Sequence, residues 1–254
     1  MRLFVGKARR WSLVGAGFLV LALAVCGRVG YRATSNADML RLPPDELPGN
    51  AGLYRFAIAE GKGVFASHCA DCHGADLKGS RTAGVPDLTD SDWVFGEGRV
   101  AQLEQIALYG IRSGSHRSKN QADMPAFGRE RPYARYAIPT LTPAETDDIA
   151  NYMGKFQGRA ADAASIDRGK ALFDVKGQCF DCHGNDLAGD DFIGAPNLRD
   201  AVWLYGDGSH KAIVNSIAMG RQGVSPMFRD RLSAAQIRAV AAYIHAQSKP
   251  PPAA

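Results

Sequence analysis

Two stretches of this chain place thiols and imidazoles where they can do chemistry: Cys69, Cys72 and His73 in one, Cys179, Cys182 and His183 in the other. In each, the histidine directly follows the second cysteine of a Cys-x-x-Cys pair. Two thiols within one helical turn reach the two vinyl groups of a haem and form thioethers, and the adjoining imidazole becomes the proximal iron ligand. The rival chemistries for such pairs are a redox dithiol or half a zinc site. A zinc site needs two further thiols or imidazoles per domain, and none is placed for it. The fifth cysteine, Cys26, stands alone far upstream. The expected cofactors are two covalently bound haem c groups, held by Cys69, Cys72, Cys179 and Cys182.

The sixth iron ligand sets what each haem does, and a methionine thioether favours Fe(II) and closes the iron to outside ligands. In the first half the candidate is Met124, in Ala122-Asp123-Met124-Pro125-Ala126-Phe127-Gly128, with His116 as a weaker rival. In the second half, aligning Pro226 with Pro125 sets Ser225 against Met124. Met227 is then the nearest methionine, and Met219, opposite Tyr109, is the alternative. The expected iron ligands are therefore His73 with Met124 and His183 with Met227. A haem lacking its methionine would be open to small ligands. Pro86 and Pro196 have carbonyls but no N–H; each either accepts the proximal histidine's Nδ1–H or is a turn proline.

These motifs sit in a repeat. At an offset of 110 the two haem motifs superpose, as do Pro86-Asp87-Leu88 with Pro196-Asn197-Leu198, Trp93 with Trp203, and Gly110 with Gly220. Farther on the offset falls to 91, pairing Tyr152 with Tyr243, so the first copy has 19 extra residues between Gly110 and Thr142. One domain has been duplicated. Each copy reads as helical. Helices lead into both haem motifs, and Thr142-Pro143-Ala144-Glu145 and Ser233 with Gln236 are helix starts of the capping-box type. Ile149, Tyr152, Met153 and Phe156 then recur at helical spacing, as do Ile237, Val240, Ala241 and Ile244. The fold class is all-α: two tandem cytochrome c domains after one N-terminal transmembrane helix or signal-anchor. The expected boundaries are an anchor at 1–30, a linker at 31–55, domains at 56–157 and 166–248 joined by a linker at 158–165, and a tail at 249–254.

Basic residues precede an apolar run, residues 11–26, near the lower length limit for a bilayer span. An uncleaved anchor, a signal cleaved after Ala22-Leu23-Ala24 and a lipoprotein acylated at Cys26 all fit it. Each leaves the haem domains outside the cytoplasm, because the basic flank stays inside. The prolines of Arg41-Leu42-Pro43-Pro44-Asp45-Glu46-Leu47-Pro48-Gly49 suggest a stiff, extended spacer. The net charge of +4 belongs to this end. Removing the six basic residues of positions 1–35 leaves 24 basic against 26 acidic residues in the remainder. With no basic stripe interleaved with aromatics, a nucleic-acid partner is not indicated.

The run Gly194-Ala195-Pro196-Asn197-Leu198-Arg199-Asp200, with Trp203-Leu204-Tyr205-Gly206 and Gly220-Arg221-Gln222-Gly223-Val224, resembles the dihaem subunit III (FixP/CcoP family) of cbb3-type cytochrome c oxidases. Pro86-Asp87-Leu88-Thr89-Asp90, Tyr109-Gly110-Ile111-Arg112 and Met124-Pro125-Ala126-Phe127-Gly128 carry the same resemblance in the first copy. It implies a non-catalytic subunit of a bacterial cytoplasmic-membrane oxidase, with periplasmic haem domains and His/Met ligation of both haems. The donor would be a soluble cytochrome c or a membrane protein, and the acceptors a monohaem subunit and the oxygen-reducing core. Two features depart from the family pattern: a shorter stretch before the anchor, and Ser225-Pro226-Met227 where the family has Met-Pro. The competing functions are a membrane-tethered cytochrome serving a periplasmic dehydrogenase, and a dihaem peroxidase-like enzyme.

Overall fold

The computed structural model describes residues 5–130 and 139–249, with side chains from residue 19 onward. The described regular structure is helical. Helix α1 (Val5–Arg41) leads through a 3-10 turn (Pro44–Gly49) into α2 (Ala51–His68), α3 (Ala70–His73) and α4 (Val100–Tyr109). The second half holds α5 (Pro143–Lys155), α6 (Ala163–Ala171) with a π-turn (Leu172–Lys176), α7 (Phe180–His183), α8 (His210–Met219) and α9 (Ala234–Gln247). The capping boxes form as the sequence predicts. Glu145 Oε2 accepts from Thr142 N at 2.8 Å and Gln236 Oε1 from Ser233 N at 2.9 Å, fixing where α5 and α9 begin.

The packing departs from the repeat. The opening helix of the first copy, α2, packs on α9, the closing helix of the second; α6, which opens the second copy, packs on α5, which closes the first. Likewise α4 packs on α9 and α5 on α8. The chain thus forms two units that exchange their closing helices: α2, α3, α4 and α9 around the first haem motif, and α5, α6, α7 and α8 around the second. The short loop between Lys155 and Ala163 is the physical reason. It folds α6 back on α5 at small loop-closure cost, which leaves α9 to cover α2. The packed units therefore interleave the two contiguous stretches of the repeat.

The two crossings are built alike. A Cβ added to Gly61 in α2 would overlap the Ala239 carbonyl oxygen and stand 2.8 Å from the Tyr243 Cβ. At Gly169 in α6 it would overlap the Asp148 carbonyl and stand 2.9 Å from the Tyr152 Cβ. One turn on, Phe65 meets Tyr243 and Phe173 meets Tyr152, each with ring centroids 5.6 Å apart. Phe65, Leu77 and Leu88 share one apolar core with Leu232, Ile237 and Val240. Phe173, Leu187 and Leu198 share the other with Phe127, Leu141 and Ile149.

The expected spacer is also corrected. Residues 31–41 continue α1, and the proline-rich stretch tightens into the 3-10 turn because Pro44 starts a helical turn with no N–H to satisfy. Met39 and Leu47 are fully buried, in one cluster with Ala57 and Ala242. The buried Arg238 of α9 pairs with Glu104 of α4 and donates from Nη1 to the carbonyls of Met39 (3.2 Å) and Leu42 (2.9 Å), capping the end of α1. The apolar run of α1 exposes Leu19, Val20, Leu21 and Leu23, each more than 60% accessible. Among the described residues no helix is long and apolar enough to cross a membrane. Residues 1–4 and the side chains of 5–18, on which the expected basic flank and half of the apolar run fall, lie outside what is described.

Gly61→Ala or Gly169→Ala should destabilise the haem-loaded protein by about 1–3 kcal/mol through overpacking of a helix crossing. Gly63→Ala, where an added Cβ meets nothing within 4 Å, should be neutral or slightly stabilising. Denaturant unfolding of the three variants checks this.

Candidate functional site

Each haem motif occupies a single helical turn. In α3 the N–H of His73 donates to the Cys69 carbonyl at 3.0 Å, and in α7 that of His183 donates to Cys179 at 3.0 Å. This turn puts both thiols and the imidazole on one stretch of backbone. The chain then loops back. Gly79 N donates to the His73 carbonyl (2.8 Å) and Leu88 N to Leu77 (2.8 Å); Gly189 N to His183 (3.0 Å) and Leu198 N to Leu187 (2.9 Å) repeat the pattern. That loop delivers the proline carbonyls. His73 Nδ1 lies 3.4 Å from the Pro86 oxygen and His183 Nδ1 3.0 Å from that of Pro196. These prolines are thus histidine-orienting groups as well as turn residues.

The electrostatics suit iron ligation. Burial lowers the pKa of both histidines, opposed in part by the proline carbonyls. The imidazoles are neutral, and with Nδ1–H given to the proline the Nε2 lone pair is left for a metal. Burial, with the neighbouring cysteine, pushes the Cys69 thiol up to about 11 and the Cys179 thiol to about 12. Such thiols are not thiolates at neutral pH, which disfavours a redox dithiol. The surroundings fit haem as well. Apolar residues flank each motif, and the indole N–H of Trp93 is buried with no acceptor among the described residues, a donor suited to a haem propionate. Trp203 packs equivalently in the other core.

The methionines are placed less symmetrically, and across the repeats. The segment after Gly110 reaches the second unit: Met124 N donates to the Arg221 carbonyl at 3.0 Å and Arg221 N returns to Met124 at 2.9 Å. Phe127 N donates to Ile217 of α8 at 3.1 Å. Half-buried Met124 packs on the core of the second motif. The fold therefore brings Met124 to the core that Cys179 and Phe180 also join, where the sequence pairs it with the first motif; the exchange of closing helices carries the preceding loop along. The counterpart segment reaches the first unit by the same bonds. Ser225 N donates to Ile111 (2.9 Å), Ile111 N to Ser225 (3.0 Å) and Phe228 N to Ala107 (2.9 Å). Ser225 stands at the position equivalent to Met124. Met227 is 36% exposed and outside the core that Phe228 joins, and Met219, at the end of α8, is 57% exposed. His116 is exposed in a loop.

The two units meet through haem-proximal loops. An added Cβ at Gly84, whose φ is +68°, would run into the Tyr205 ring; at Gly194, with φ +78°, it would run into the Phe95 ring. Gly206 N donates to the Arg81 carbonyl at 3.0 Å. Arg112 ties the two distal segments together, donating from Nε to the Gly223 carbonyl (2.6 Å) and from Nη1 to Ala122 (2.9 Å). Sequence reasoning did not single out this interface. Its signal was present in the offset of 110 that pairs Gly84 with Gly194 and Phe95 with Tyr205.

Comparison with known proteins agrees with the two-repeat reading. Residues 58–157 match the family model described as Cytochrome c, and residues 164–244 the one described as Cytochrome C oxidase, cbb3-type, subunit III. The chain is 37% identical over 215 residues to the Cbb3-type cytochrome c oxidase subunit FixP of Azorhizobium caulinodans, covering 84% of this chain and 68% of that protein. The subunit CcoP of Azospirillum sp. (strain B510) is 35% identical over 89% of this chain and 72% of its own length. For FixP of Bradyrhizobium sp. (strain ORS 278) the figures are 39%, 76% and 62%. The chain thus spans 62% to 72% of the length of these three relatives.

At the unit interface, burial and then the neighbouring Asp200 and Asp90 raise half-buried Asp92 to about 6. The folded state therefore holds this proton more tightly than the unfolded chain between about pH 4 and pH 6, and ionised Asp92 destabilises the fold above that window. Asp92→Asn should stabilise the haem-loaded protein by about 1 kcal/mol at pH 7, after allowance for solvent screening. The gain should vanish below about pH 4, as urea unfolding at the two pH values would show.

Proposed function

The chain belongs to the FixP/CcoP family, the electron-transfer subunit III of cbb3-type cytochrome c oxidases, and from that premise we propose that its two haem c groups are ligated across the repeats. In this reading Cys69 and Cys72 would hold haem one with His73 as its imidazole ligand, and the segment Ser225–Phe228, bonded to Ile111 and Ala107, would cover the other side. Cys179 and Cys182 would hold haem two, with His183 and Met124 supplying the imidazole and thioether for its iron. The observation that carries the reading is the packing of Met124 on the core around the second motif.

Bound haem supplies the one-electron iron chemistry. The protein supplies the rest. The Pro86 and Pro196 carbonyls hold each imidazole in the tautomer that presents Nε2 and raise its basicity. The thioether of Met124 favours the reduced state and excludes other ligands from haem two. Phe95 and Tyr205, seated on opposite loops, hold the units together at their haem-proximal edges, as stepwise transfer between the two haems needs. No other residue need gain or lose a proton for an electron to pass.

The apolar stretch of α1 seats the chain in the cytoplasmic membrane, and its basic start orients the haem units to the periplasm. Because the end of α1 is clamped by Arg238, the unit of haem one lies nearer the membrane. Electrons from a soluble cytochrome c or a membrane donor would then pass by way of haem one to a monohaem subunit and the catalytic core.

A chain lacking haem one (Cys69→Ala with Cys72→Ala) should keep the near-infrared charge-transfer band of methionine-ligated iron, and adding Met124→Ala should abolish it. If Met124 belonged to haem one, this last substitution would leave the spectrum of the haem-two-only chain unchanged.

A further inference from the structure

We propose that haem one is open on its distal side and, when reduced, binds a neutral diatomic such as carbon monoxide or nitric oxide, with the Ser225 hydroxyl facing the ligand. The inference rests on the cross-repeat assignment of the distal segments. Its warrant is a break in an otherwise close internal symmetry. The three bonds that seat Met124 and Phe127 on the second unit, to Arg221 and Ile217, recur at 2.9–3.0 Å for Ser225 and Phe228 on Ile111 and Ala107. The two segments are thus the same structure, and the residue at the ligand position changes from methionine to serine.

The change has a definite chemical consequence. A serine oxygen is one bond closer to the backbone than a methionine sulfur, roughly 1.5 Å short. It is also a hard, protonated hydroxyl with little affinity for ferrous iron, where a thioether is soft. Met227 does not make up the loss. It takes the position of Ala126, beyond the proline and two residues from the ligand position, in a segment fixed by the same backbone bonds. Met219 ends α8, in the unit of the second motif. The remaining distal group is a hydroxyl, a hydrogen-bond donor and not an iron ligand. Polarity, donors and steric access on the distal side decide whether a haem carries electrons only or also binds a diatomic. The site suits a small neutral π-acceptor that bonds to Fe(II) through its own lone pair, so no further reactant is required. Placed in the unit clamped to α1, a ligand there acts on the haem that the proposed route to the oxidase core must cross.

The test is carbon monoxide titration of the dithionite-reduced, detergent-extracted full chain, followed in the Soret band. One carbon monoxide should bind per two haems. Ser225→Met should lower the bound fraction at least tenfold at the same gas pressure and add a second methionine–iron band in the oxidised spectrum. Met227→Ala should leave carbon monoxide binding unchanged. No binding by the parent chain, with binding gained in Met227→Ala, would overturn the proposal by making Met227 the ligand. A chain carrying haem one alone (Cys179→Ala with Cys182→Ala) separates the two readings. It should bind carbon monoxide; if the intact chain binds the gas and this variant does not, the open haem is haem two and the cross-repeat assignment is what fails.

Discussion

Two helix crossings, each made where a glycine of one repeat meets a backbone carbonyl of the other, hold this molecule together. Gly61 lets α2 lie against Ala239 and Tyr243, and Gly169 lets α6 lie against Asp148 and Tyr152. No side chain fits at either contact, so the backbones approach closely and the aromatic pairs Phe65–Tyr243 and Phe173–Tyr152 close the next turn. Everything nearer the haem motifs follows from that exchange. With α5 committed to the second unit, the loop before it goes there too, and Met124 with it. With α9 committed to the first, Ser225 and Phe228 arrive beside α4. A domain of about a hundred residues has only a modest core of its own. Exchanging closing helices makes the two units one body, as the symmetric contacts of Phe95 and Tyr205 across their boundary also do.

Around that frame the chemistry is economical. A four-residue helix in each unit aligns two thiols and an imidazole, and a tight return loop supplies the proline carbonyl that orients the imidazole. The same burial that leaves the histidines neutral keeps the Cys69 and Cys179 thiols protonated. The polypeptide is thus built to hold a large apolar cofactor. The clamp of Arg238 on the end of α1 extends this order toward the N-terminus. A guanidinium buried beside Glu104 that also caps two backbone carbonyls fixes the leading helix to the haem-one unit. That bond set makes the end of the leading helix part of the folded unit.

Much of this was legible in the sequence. The haem motifs, the duplication, the capped starts of α5 and α9 and the candidate Met124 follow from spacing, because local chemistry fixes each of them. The exchange was not legible, for a physical reason. Tyr152 and Tyr243 are equivalent residues, so the repeat pattern is identical whichever of them covers Phe65. Only the short loop after Lys155 favours one arrangement, and its consequence is tertiary. The stretch from residue 31 to residue 55 was misread as a spacer because its prolines argue against a long helix; they do not argue against a packed 3-10 turn. Met39 and Leu47 were the overlooked signal, two large apolar residues in a segment taken to be solvated.

The exchange of closing helices is the claim on which the site assignment rests, and a pair of double-mutant cycles on the full haem-loaded chain tests it most directly. Phe65→Leu is combined with Tyr243→Leu in one cycle and with Tyr152→Leu in the other, and stability is read from urea unfolding. The account predicts a coupling of about 0.5–1.5 kcal/mol between Phe65 and Tyr243, as for a packed aromatic pair, and none between Phe65 and Tyr152. Coupling of Phe65 to Tyr152 with none to Tyr243 would mean that each repeat closes on itself, and would contradict it.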